Sequence, residues 1–137
     1  MTNIYNFNDL HEMHLYPCAY SMTFNVVDGQ LNAILNQRSN DFLIANAWNV
    51  AQYALLVMIL AQVSDLEIGE LVHVIADAHI YERHIPIVEE LIQRESFDAP
   101  RVTLNPDIKN FYDFTIEDVC VENYKHGETI SKIPVAV

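Results

Sequence analysis

Hydrophobic and polar positions alternate along the first third of the chain. Over residues 20–27 aromatic and β-branched residues fall partly on alternate positions, and Leu31, Ala33 and Leu35 alternate with polar residues on the way back. A period of two predicts strands. Asp28-Gly29 between them is a strong two-residue turn signal, since both residues tolerate the positive φ such turns require, and the segment is expected to be a β-hairpin. The pattern then changes. No charged residue occurs between Phe42 and Ser64, and 47–63 reads as one long helix, capped by Asn46 and ended by the polar turn Ser64-Asp65. An apolar run of this length also matches a membrane span. Asn46, Asn49, Gln52 and Gln62 interrupt it, no basic cluster flanks it, and Asp65 and Glu67 follow at once. It is therefore expected to be a core helix, buried on most sides, with no membrane partner.

Further along, 71–76 is a short apolar strand, and a second helix is expected from about Glu82 to Glu95, with Pro86 tolerated only in its first turn. Residues 101–105 and 119–124 read as strands separated by Asn105-Pro106 and a turn around 108–113, and the tail 125–137 has no periodicity. Strands and helices are intermixed. The fold class is α/β (α+β), a mixed β-sheet with a long buried helix. With 137 residues, three glycines, five prolines and no internal repeat, the chain is expected to be a single domain without a linker.

Charge narrows the function. Seven Lys+Arg against 19 Asp+Glu leave a formal net charge of -12, which excludes a broad phosphate-tracking surface for nucleic acid. Any anionic ligand must be held by a few placed cations. The two cysteines, Cys18 and Cys120, make neither a disulfide framework nor a zinc ribbon, and the first residues lack the basic start and apolar core of a signal peptide. The expected setting is a reducing cytoplasm.

A simple turn at Asp28-Gly29 places Cys18 opposite Ser39, with Arg38 the next residue along, and a bulge would shift this by one. A cation within reach favours the thiolate, so Cys18 is a candidate nucleophile beside an anion-binding Arg and a Ser hydroxyl. An ordinary buried thiol fits the same residues, and Cys120, between two valines, reads as structural. Asn49 and Gln52, three apart on the long helix, could present donor and acceptor to the amide edge of a flat heterocycle, or satisfy neighbouring backbone. His79 and Tyr81 would share a side if the strand of 71–76 continued, where they could bind a sugar hydroxyl. No metal site is expected, because His73, His79 and His84 lack close ligand spacings and His11 with His14 lacks a third ligand.

Taken together, Tyr16-Pro17-Cys18, Gln37-Arg38-Ser39-Asn40-Asp41, Trp48-Asn49-Val50-Ala51-Gln52-Tyr53, Asp77-Ala78-His79-Ile80-Tyr81 and the terminal Pro134-Val135-Ala136-Val137 resemble the thymidylate synthases in order and spacing. The stretch from Asp98-Ala99-Pro100 through Phe111-Tyr112-Asp113-Phe114 is similar to the bacterial forms. The resemblance covers nearly the whole chain and is to the C-terminal half of that enzyme, a truncated form of its fold. It implies reductive methylation of dUMP to dTMP with 5,10-methylenetetrahydrofolate as co-substrate and Cys18 as the nucleophile. It further implies that Arg38 and Ser39 bind the 5′-phosphate, that Gln37 lines the nucleotide site, and that His79 and Tyr81 hold the 3′-hydroxyl. Asn49 matches the amide reading the uracil edge, where deoxycytidylate hydroxymethylases resemble the pattern with an Asp. Asp41 matches the acid facing the pterin, and Val137 the tail that closes over the ligands.

The same resemblance implies groups that this sequence does not contain. An arginine pair, a proton-transfer glutamate, folate-facing tryptophans and a mobile arginine loop belong upstream of the position of Met1, as though translation began at an internal methionine. Ala45, Ala19 and Ile75-Ala76 stand where Gly, His and Gly-Gly are usual. The chain by itself is accordingly expected to have activity near zero, and the alternatives to a synthase are a non-catalytic nucleotide-binding, oligomerising remnant or a hydroxymethylase-like enzyme. Surfaces left uncovered predict a homodimer or larger assembly.

Overall fold

The computed structural model describes residues 1–135 and divides them into two compact units, Met1–His79 and the residues from Ile80 onward. The first unit is built on the hairpin the alternation predicts. Strands β2 (Ala19–Val27) and β3 (Gln30–Gln37) pair antiparallel, and Asp28 and Gly29 adopt φ of 50° and 80°, the two positive values of a type I′ turn. A short strand β1 (Thr2–Asn3), not evident in the sequence, joins the free edge of β2. On the other side β5 (Glu67–Ile75) pairs parallel with β3, giving a four-stranded mixed sheet in the order β1-β2-β3-β5.

Parallel neighbours need a long crossover, and α1 (Asn46–Val63) supplies it. The helix forms where expected, but Asn46 lies inside it instead of capping it. Ala45 occupies the cap position, Asp41 Oδ1 accepts from the Ile44 amide at 3.3 Å in the lead-in turn, and the Asn46 amide oxygen accepts from Asn40 instead. Its burial meets the expectation only in part. Over 53–63 every residue is half-buried or buried, with Val57 and Ala61 fully so, whereas 47, 48 and 50–52 are exposed and Trp48 is 77% exposed.

Val57 and Ala61 close the core. Met22, Leu31, Ala33, Leu35, Val57 and Ala61 are buried, with Tyr53, Leu56, Leu60 and Leu71 packed around them. Each large side chain taken fully out of water contributes roughly 1.5–3 kcal/mol. On the opposite face of the sheet Ile34, Val72 and Val74 remain exposed. The β3–β5 register slips between Leu31 and Ala33, and the Asn32 side chain accepts from the Glu70 amide at 2.9 Å there. Gly69 makes this crossing possible. A Cβ on it would lie 2.5 Å from Asn32 Oδ1 and 2.8 Å from the Leu31 carbonyl oxygen. Gly69→Ala should therefore destabilise the chain by about 1–3 kcal/mol, read as a lower urea midpoint at unchanged slope; an unchanged midpoint would show that the strands move apart without cost.

Two further strands, β4 (Asn40–Asp41) and β6 (Ala78–His79), form a small parallel pair. β5 stops at Ile75, so the strand of 71–76 does not run on to carry His79 and Tyr81 on one side. Tyr81 precedes a 3-10 turn over Glu82–His84 and belongs to the second unit, which begins at Ile80. The second helix, α2 (Ile85–Leu91), is shorter than 82–95 because Glu82–His84 form a 3-10 turn and the chain leaves the helix in a turn after Leu91, and Pro86 sits in its opening turn as required. Strands β7 (Arg101–Leu104) and β8 (Val119–Glu122) pair antiparallel; Cys120 in β8 is exposed. Hydrogen bonds from Asn105 and Thr115 hold the Asp118 carboxyl below the usual carboxylate range. The described part of the tail, 125–135, lacks regular structure as expected and is tied down by Arg94 to the Glu128 carbonyl at 2.6 Å, buried His84 to that of Pro134 at 2.7 Å, and Arg83 to that of Val135 at 2.7 Å. Among the described residues no helix is long and apolar enough to cross a membrane, and no three metal-ligating side chains converge.

Candidate active site

The bulge that the hairpin allowed for is present. Pairs from Ser21–Asn36 to the turn keep the simple register, and between Ser21 and Ala19 the register shifts by one, so that Ala19 faces Gln37. Cys18 consequently lies opposite Arg38, whose amide donates to the Cys18 carbonyl at 2.9 Å, and not opposite Ser39. Tyr53 on α1 fixes this end of the strand by donating to the Ala19 carbonyl at 3.3 Å; burial pushes its phenol above the ordinary value.

The shift brings cation and sulfur together. The Arg38 guanidinium donates through Nε to the Pro17 carbonyl at 3.1 Å and through Nη2 to that of Tyr16 at 2.6 Å, and Nη2 stands 3.7 Å from Cys18 Sγ. Tyr5 adds a donor to the same Pro17 carbonyl at 3.1 Å. A fork pinned on two successive carbonyls cannot swing away from the half-buried thiol. Arg38 and Ser39 lie in the connection between β3 and β4, and both are half-buried.

Behind them runs a chain of amides. Buried Gln37 donates through Nε2 to the Ser39 carbonyl at 2.9 Å and to Asn49 Oδ1 at 3.0 Å, while its Oε1 meets His73 Nε2 at 2.8 Å. Asn49 is thus held on the inner face of α1, whereas Gln52 is exposed. Burial lowers the His73 pKa below its ordinary 6.5, which keeps the ring neutral at pH 7. His73 had no role in the sequence reading beyond its spacing to other histidines. Its signal was the alternation Leu71, His73, Ile75, which places it on the face of β5 that packs inward.

Asp41 and His79 stand opposite each other in the β4–β6 register. One Asp41 oxygen is engaged by the Ile44 amide, and His79 Nδ1 lies 3.3 Å from Asp77 Oδ2. Tyr81, at the start of the second unit, packs edge-on against His84 with ring centroids 5.7 Å apart. Val137 lies outside the described residues. The first unit therefore brings together Cys18, Arg38, Gln37, Ser39 and Asn49, and the second carries Tyr81. What the cluster offers is a thiol beside a fixed cation, and behind the cation an amide whose orientation is set.

The thymidylate synthase family model matches residues 1–137. The chain is 44% identical over 131 residues to a thymidylate synthase of Bacillus licheniformis, spanning 96% of this chain and 47% of that relative. It is 41% identical over 136 residues to thymidylate synthase 1 of Bacillus amyloliquefaciens, spanning 98% and 59%. The fold superposes on thermostable thymidylate synthase A from Bacillus subtilis with a TM-score of 0.93 and 42% identity, over 99% of this chain and 49% of that one. The chain thus spans about half the length of the relatives it matches.

Proposed function

Because the chain belongs to the thymidylate synthase family, we propose that it carries the nucleophile and the nucleotide-binding groups for converting dUMP to dTMP. In this reading the Cys18 sulfur adds to C6 of the pyrimidine, and the C5–C6 π electrons move into an enolate. C5 then bonds to the one-carbon unit and loses its proton, and the bond from that carbon to the folate nitrogen breaks. The sulfur leaves C6 as hydride from the folate, left as dihydrofolate, reaches the new carbon. 5,10-Methylenetetrahydrofolate, as co-substrate, supplies the carbon and the hydride that completes the methyl group. Arg38 and Ser39 meet the 5′-phosphate, Gln37 and Asn49 the pyrimidine, and His79 and Tyr81 the 3′-hydroxyl. Asp41 faces the pterin and Val137 closes the site. Residues 1–137 serve as one domain of the synthase fold, working in the cytoplasm as a homodimer, with no metal and no nucleic-acid or membrane partner.

The observation that carries this reading is the Arg38 guanidinium, pinned on the Tyr16 and Pro17 carbonyls and 3.7 Å from Cys18 Sγ. A positive charge held there lies beside the sulfur assigned as nucleophile and attracts a phosphate to a protein of net charge -12. The test is tritium release from 5-tritiated dUMP in the presence of the folate, which reports addition at C6 and loss of the C5 proton. Any release by the native chain should fall to the uncatalysed background in Cys18→Ala, whereas Cys120→Ala should leave it unchanged. Release that survives Cys18→Ala would overturn the assignment of the nucleophile. Dependence of nucleotide binding on the site without release would favour the non-catalytic remnant.

A further inference from the structure

We infer that His73 is a positioning residue that sets, through Gln37, which way round the Asn49 amide stands, and so selects a pyrimidine with a carbonyl at C4 over one with an amino group. The inference rests on the nucleotide reading above and extends it to specificity.

The argument is one of donors and acceptors. The Ser39 carbonyl can only accept, so the Gln37 side-chain nitrogen, 2.9 Å away, must face it. The same nitrogen is 3.0 Å from the Asn49 side chain, which must then present its oxygen, and Gln37 Oε1 is left 2.8 Å from His73 Nε2. An oxygen there requires a donor. Neutral imidazole meets the requirement only as the tautomer protonated on Nε2; burial, which keeps His73 neutral, is consistent with this. Gln37 is 2% exposed, so water cannot readily replace a lost partner. The result is a directional chain from His73 through Gln37 to Asn49.

With its oxygen turned to Gln37, Asn49 offers Nδ2–H as a donor and the second lone pair of Oδ1 as an acceptor. A uracil edge, O4 accepting and N3–H donating, matches both. A cytosine edge presents the inverse pair and would need the Asn49 amide reversed, which would set its nitrogen against the Gln37 nitrogen, two donors with no acceptor between them. Reversing Gln37 as well would set its oxygen against the Ser39 carbonyl and force His73 into its other tautomer. The donor on His73 therefore resists reversal along the whole chain, and one unpaired buried polar group corresponds to on the order of 10- to 100-fold in affinity.

The experiment compares dUMP and dCMP binding to the full chain by calorimetry. His73→Gln can still donate to Gln37 and should keep the native preference for dUMP within about threefold. His73→Glu replaces the donor by an acceptor and should lower that preference by about 10-fold or more. An unchanged preference in a folded His73→Glu chain would overturn the inference while leaving the nucleotide reading intact. A native chain that binds neither nucleotide would instead sink the nucleotide reading, and the selectivity role with it. Should the Glu variant not fold, ¹⁵N chemical shifts of His73 in the native chain decide: protonation on Nε2 is expected, and protonation on Nδ1 overturns the chain of donors.

Discussion

Arg38→Ala is expected to weaken dUMP binding about 100-fold or more, with Arg38→Lys recovering only a small part of the loss. Two effects combine. In the proposed reading the guanidinium is the charge that meets the phosphate, and its bonds to the Tyr16 and Pro17 carbonyls hold the segment that carries Cys18. Hydrogen bonds to charged groups contribute about 1.5–3 kcal/mol each, and each 1.4 kcal/mol is about a factor of 10 in affinity. Lysine restores a point charge but not a planar fork that reaches both carbonyls and the ligand. Binding should be measured with dUMP and with deoxyuridine. Native protein should prefer the phosphate-bearing ligand, and Arg38→Ala should bind both with similar, weak affinity. A retained preference for dUMP in the variant would remove Arg38 from the phosphate site. The rate of Cys18 alkylation by iodoacetamide, with exposed Cys120 as internal reference, should change as well if the guanidinium governs the thiol's surroundings.

Val72→Glu is expected to turn the proposed homodimer into a monomer. The outer face of the sheet exposes Ile34 at 40%, Val72 at 48% and Val74 at 47%, neighbours across the β3–β5 register, where Ile34 is paired with Val72. Contiguous apolar surface of this kind marks an interaction face. In the proposed homodimer a second copy would set the same patch against this one about a two-fold axis. A carboxylate placed at its centre would be buried without a partner and would face its symmetry mate, costing several kcal/mol, or roughly a thousandfold in dimer dissociation constant. Sedimentation velocity of native and variant chains over a range of concentrations checks this. A native chain that sediments as a monomer throughout would refute the homodimer, and a variant that still dimerises would move the interface elsewhere.

How far these features were legible differs from element to element. The hairpin was, because alternation along residues 20–35 and the Asp28-Gly29 turn are local signals with one structural solution. The bulge near Ala19 was not, since a one-residue slip depends on what each strand end meets: here the Tyr53 hydroxyl on the Ala19 carbonyl and β1 on Ser21 and Met22. That slip decides whether Arg38 or Ser39 stands opposite Cys18. The long helix was legible from its apolar run, but its burial only in part, because the number of faces a helix hides depends on how many elements reach it. His73 escaped notice because a histidine in a strand acquires a role only from the groups that face it, and Gln37 faces it from 36 residues away in the chain.

What the sequence by itself determined is the inventory: a Pro-Cys pair, a Gln-Arg-Ser cluster, an Asn on a long helix, the order of strands and helices, and through these the family. Periodicity, turn chemistry and motif spacing are properties of neighbours along the chain, and they survive without a fold. Only the tertiary structure decided which of these residues touch. Hydrogen bonds require donor and acceptor within about 3 Å, a condition set by register, bulge and packing. It is met between Arg38 and the Tyr16 and Pro17 carbonyls, and along His73, Gln37 and Asn49, pairs that no linear pattern connects.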